Sequence, residues 1–155
     1  MKTERHEDRW PDEQRRTAVL AECLRREALA FRDMLYLMVQ HRQSLAVDDR
    51  ENTRVSAASQ DRVLRQLAIA HKRTSAVLAH LARRHGLSES ATVRDLLACI
   101  EPSSRTGLAR ARDELRSVLE QVDRETTTST ALLTSLIEYV GFCTRLFDRR
   151  DRALT

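Results

Sequence analysis

Between Pro11 and Pro102 the chain carries one glycine, Gly86, and one asparagine, Asn52. Sheets need tight turns, and tight turns draw on Gly, Pro and Asn. A stretch this long with so few of them leaves no room for a succession of hairpins. An all-β fold is excluded on that ground, and a strand–helix–strand fold is disfavoured. The three glycines of the 155-residue chain lie too far apart to form a phosphate-cradling loop. The rest of the composition is that of long helices, dominated by Leu, Ala, Arg and Glu with only 4% aromatics.

Apolar spacing divides the chain into four helices. Pro11 followed by Asp12 and Glu13 reads as a helix start, since Pro suits the first turn and acids suit the positive end of the dipole. Leu20, Leu24, Phe31, Met34, Leu35, Met38 and Leu45 then recur at steps of three and four or their sums, one stripe on a helix reaching about Val47. Asp48, Asp49 and Asn52 break or cap the chain. A second helix over about 50–85 carries Val63, Leu64, Leu67, Ala70, Thr74, Val77, Leu78 and Leu81, and stops at Arg83-Arg84-His85-Gly86. Thr92 and Asp95 fit a capping box for a short third helix with Val93, Leu96, Leu97 and Ile100 on its apolar face, ended by Pro102.

The last helix has the most regular pattern. Leu108, Ala111, Leu115, Val118, Val122, Glu125, Ser129, Leu132, Leu136, Tyr139, Cys143 and Leu146 alternate three and four without a slip. A heptad seam held this long indicates coiled-coil-like packing. A second ridge of Leu119, Leu133, Ile137, Val140 and Phe147 widens the apolar face, as burial in a bundle requires. The middle, Glu125 to Thr130, is rich in poor helix formers. No Gly or Pro interrupts it, so the helix is expected to continue, bent or loosened there. The expected fold is all-α: an elongated antiparallel bundle of three long helices and one short one. Residues 1–12 form a charged tail, 13–149 one bundle domain and 150–155 a C-terminal tail.

No catalytic pattern converges. Cys23, Cys99 and Cys143 are far apart, with no Cys-x-x-Cys, so each is expected to be a buried small hydrophobe in a reducing compartment. His71, His80 and His85 lack the spacing of three or four that puts two ligands on one helix face. No Ser lies in a Gly-x-Ser-x-Gly turn. A non-enzymatic protein without metal or cofactor is expected. The N-terminus has no apolar core and no stretch is long and apolar enough to span a bilayer, which gives a cytoplasmic expectation. Trp10 beside Pro11 reads as a hydrophobic staple for the first helix.

Charge is unevenly placed. The chain has net charge +4, while residues 50–87 hold eight Arg and Lys (Arg50, Arg54, Arg62, Arg65, Lys72, Arg73, Arg83, Arg84) against Glu51 and Asp61, hence +6. Such a helix can meet nucleic acid or an acidic partner. It lacks stacking aromatics and helix-turn-helix spacing, so a solvated face is the favoured reading.

The order of features resembles FlgN-type flagellar export chaperones. The residues that carry the likeness are Gln43-Ser44-Leu45 with Asp48-Asp49, Gln60 and Gln66-Leu67, Gly86-Leu87 leading to Thr92-Val93 and Leu96-Leu97, and Leu132-Leu133-Thr134-Ser135-Leu136-Ile137-Glu138-Tyr139-Val140. The likeness covers about residues 17–147. Where that family often has two Asn three apart, this chain has Thr126 and Ser129.

The resemblance implies a cytoplasmic chaperone that binds C-terminal helices of hook–filament junction (hook-associated) proteins. It implies that the chaperone keeps them soluble and delivers them to the type III export gate or its ATPase complex. Leu132, Leu133, Leu136, Ile137, Tyr139, Val140, Phe142 and Phe147 are the candidate partner-binding residues, because they offer more apolar surface than one neighbouring helix covers. No small-molecule substrate and no membrane insertion are expected. The alternatives are a basic helical nucleic-acid-binding regulator and a homo-oligomeric coiled-coil scaffold.

Overall fold

The computed structural model describes residues 10–153, with side-chain surroundings over 12–138 and at 140 and 141. Every element among them is helical: α1 Trp10–Ala46, α2 Arg50–Arg84, α3 Val93–Cys99 and α4 Pro102–Ala153. At 1.5 Å per residue the 37 residues of α1 extend about 55 Å and the 52 of α4 about 78 Å.

Local chemistry sets each break. Asp48 turns the chain at a φ of 54°, a conformation that Asp tolerates better than most residues. Asp49 then caps α2, accepting the Asn52 amide proton at 3.1 Å. At the other end Gly86 sits at a φ of 69°. The Leu87 amide reaches back to the Ala82 carbonyl at 2.9 Å and the Gly86 amide to Arg83 at 3.1 Å, a Schellman stop. The Thr92–Asp95 capping box forms as expected. Pro102 both ends one helix and begins the next: it cannot extend α3, and its fixed φ suits the first position of α4. Arg105 satisfies the exposed end of α3 by donating to the Ile100 carbonyl at 3.0 Å.

The three long helices do not pack equally. α1 lies against both α2 and α4, whereas α2 and α4 scarcely meet. Side-chain contacts give the directions. His41 meets Ser56, Glu27 meets His71 and Glu13 approaches His85, so α1 and α2 are antiparallel. Gln14 meets Ser103 and Arg42 meets Glu125, so α1 and α4 run parallel. The antiparallel arrangement expected from sequence therefore holds for the first pair, while the last helix returns alongside the first. The reason is connectivity: α2 and α3 carry the chain back to the end where α1 began.

The core sits at that end. Leu20, Leu24, Leu81, Leu96, Leu97, Ile100, Leu108 and Ala111 are buried together, with Val77, Leu78, Leu87 and Leu115 packed around them. All four helices contribute, so this end is the closed one. Two expectations are corrected here. Leu64, assigned to the buried stripe of α2, is 54% exposed, and the α4 ridge of Leu119, Leu133, Ile137 and Val140 is exposed as well. Leu64 and Leu119 lie beyond the reach of α3, on faces that no other described helix covers. A third correction concerns Cys99, which is exposed at the end of α3, although Cys23 is buried as expected.

Candidate partner-binding surface

The seam of α4 is the scaffold of the site. Leu108, Ala111 and Val118 are buried against α1, and Leu115, Val122, Glu125, Ser129, Leu132 and Leu136 are half-buried along the same line. Its one charged member has a specific partner. Arg42 of α1 donates from Nε to Glu125 Oε1 at 2.6 Å, and Ser129 donates to the same oxygen at 3.2 Å. The Glu125 hydrogen bond, then its charge, hold the Arg42 guanidinium above its ordinary value. Sequence reading placed Glu125 on the seam but not Arg42 opposite it. The signal was available: an acid inside a heptad seam calls for a cation on the facing helix.

The Thr- and Ser-rich stretch continues as helix. Thr126, Thr127, Thr128, Thr130 and Thr134 each turn their hydroxyl back to the carbonyl four residues earlier, at 2.8–3.1 Å. This bonding lets them sit in the helix at a small cost in stability and straightness.

Beyond this stretch α4 outruns its neighbour. Arg42 is level with Glu125, so the end of α1 at Ala46 lies near residue 130. The remainder of α4, to Ala153, projects about 35 Å further. The expected partner-binding residues begin at this point. Leu132 and Leu136 are half-buried; Leu133 is 43% exposed, Ile137 71% and Val140 61%. The side chains of Tyr139, Phe142 and Phe147 lie outside the described surroundings, as does that of Trp10. The geometry thus gathers three exposed apolar residues on one side of a projecting helix.

The cations of α2 point elsewhere. Arg54, Arg62, Arg65, Lys72 and Arg73 are exposed on its outer side and make no ion pair among the described residues. His85 is the C-cap of α2, its imidazole 3.7 Å from Glu13. The His71 ring meets the buried Glu27 carboxylate at 3.4 Å. Among the described residues no three His, Cys, Asp or Glu side chains gather into a metal-sized cluster, and no helix is long and apolar enough to cross a membrane.

Comparison with known proteins gives one family. The family model described as FlgN protein matches residues 16–153. No curated protein and no solved structure matches the chain.

Proposed function

Because this chain belongs to the FlgN family, a family of flagellar export chaperones, we propose that it binds the C-terminal helices of hook–filament junction subunits in the cytoplasm, keeps them soluble and hands them to the type III export gate or its ATPase complex. The family match over nearly the whole bundle carries this reading. The apolar residues from Leu132 to Phe147 are its proposed client contacts. In support, Leu133 and Ile137 are exposed on a helix that projects past α1. Apolar side chains in such a position gain by covering the seam of another helix, which is the mode by which amphipathic helices are recognised in grooves. A client whose own seam is uncovered before assembly has the matching need.

The test is titration of the purified chain with the C-terminal helical segment of each junction subunit from the same organism. Formation of a complex that is lost when residues after Thr130 are removed supports the reading. Failure of every such segment to bind overturns it. The exposed cations of α2 favour one second reading, nucleic-acid binding. Recovery of nucleic acid that dissociates steeply between low and moderate salt would support that reading instead.

A further inference from the structure

Two pairs of consecutive residues on α1 show how its neighbours are placed. Glu13 approaches α2 and Gln14 meets α4; twenty-eight residues on, His41 meets α2 and Arg42 meets α4. Consecutive residues of an α-helix point about 100° apart. The flanking helices therefore stand at nearly a right angle about α1, and the relation recurs after four heptads. That is the corner of a square, with α2 and α4 on the diagonal, too far apart to pack along their length. Among the described residues no long helix stands at the fourth corner.

At the closed end α3 fills that corner. Its Leu96, Leu97 and Ile100 are buried over Leu20, Leu24, Leu81 and Leu108. Heptad lines followed away from α3 open one after another. On α1, Thr17 and Leu24 are buried, while Phe31, Met38 and Leu45, on the same line, are half-buried. On α2, Leu78 packs against the core, and Leu64, two heptads earlier, is 54% exposed. On α4, Leu108 is 1% exposed and Leu115 and Val122 are half-buried, with Leu119 beside them at 40%. The α1 and α4 lines stay apolar as far as Leu45 and Val122, while on α2 His71 stands between Leu78 and Leu64; along all three the cover ends.

We propose that this open corner is a seat for one amphipathic helix of the client, which completes a four-helix bundle over Phe31, Met38 and Leu45 between the walls made by Leu64 and Leu119. This rests on the chaperone reading above and gives it a binding mode. The occupant is a helix, because the molecule already seats its own amphipathic helix in the first turns of the same slot. The floor from Phe31 to Leu45 accepts roughly 15 residues of it at 1.5 Å each. The line of Leu119 runs on through Leu133, so the same client helix can follow α4 onto its projecting half.

The experiment compares full-length variants by calorimetric titration with the junction-subunit segments named above. Leu64→Glu and Leu119→Glu place a charge on each wall. Ile69→Glu is the control, since Ile69 is 73% exposed on the outer side of α2. The expected result is at least a tenfold loss of affinity for each wall variant, less than twofold for the control, and one melting temperature for all. Should the Glu variants melt early, Leu64→Ser and Leu119→Ser take their place with the same expectation. Wall variants that bind like the unaltered chain, while Leu133→Glu does not bind, overturn the seat and leave the chaperone reading standing. An unaltered chain that binds no segment removes both. A client-free dimer that Leu64→Glu dissociates assigns the slot to a second copy and overturns the proposal.

Discussion

The Arg42 guanidinium and the Glu125 carboxylate meet at 2.6 Å across the parallel pair α1 and α4, with the Glu125 side chain only 11% exposed. This contact fixes where the last helix stops having a neighbour. It also turns the polar break in a long apolar seam into a point of registry. Removing one partner leaves the other partly buried without its counter-charge. Arg42→Ala and Glu125→Ala are each expected to lower the melting temperature. The double variant is expected to fall less than the sum of the two, as a double-mutant cycle by thermal denaturation will show.

Truncation at the closed end has a larger expected effect. Leu20 is 0% exposed and Leu108 1%, so Leu20→Ala and Leu108→Ala each remove packed volume that α3 and the adjoining helices cannot refill. A loss of about 2–5 kcal/mol in chemical denaturation is expected for each. Leu64→Ala, on an exposed wall, is expected to stay within about 0.5 kcal/mol of the parent.

The projecting half of α4 separates binding from stability. Leu133→Ala and Ile137→Ala remove exposed side chains, so melting is expected to be unchanged. Affinity for a client helix is expected to fall roughly tenfold, the effect of losing one well-packed anchor. Unchanged affinity with a lowered melting temperature would show that these residues serve the bundle alone.

Acid should weaken the start of α3 first through one carboxylate. Asp95 accepts hydrogen bonds from the backbone and side chain of Thr92, which hold it below the ordinary value of 3.8. Because the folded value is depressed, the contribution is present at neutral pH and is lost as pH falls through the folded value. Asp95→Asn is therefore expected to lower stability near neutrality and to flatten the acid limb of a stability–pH profile.

Thiol chemistry reports the placement of α3. In a Cys143→Ser background, Cys99 is expected to react with an aromatic disulfide reagent at once, and Cys23 only after denaturant is added.

Element boundaries and caps were legible because each is a local event. Gly86, Thr92, Asp95 and Asp49 act on residues within about five positions, and all four sit where their chemistry says. The seam of α4 from Leu108 to Leu136 was legible for the same reason. Orientation was not, since nothing in the Leu108 to Leu146 pattern states which helix the seam meets or in which direction. Exposure of Leu64 and Leu119 was hidden too: an apolar residue at heptad spacing reads as covered until the length of its neighbour is known, and α3 is only seven residues long. Leu133 and Ile137 were singled out on apolar excess alone, and their surroundings add a helix that extends past its partner.

The parallel pairing of α1 with α4 has a consequence for synthesis. The face of α1 that receives Leu108, Ala111 and Val118 is made well before its cover. About 70 residues separate Ala46 from Val118, which at ribosomal speed is on the order of 4–15 s. During that interval the nascent chain can close only the hairpin of α1 and α2, so its seam stands open to solvent until α4 has been made.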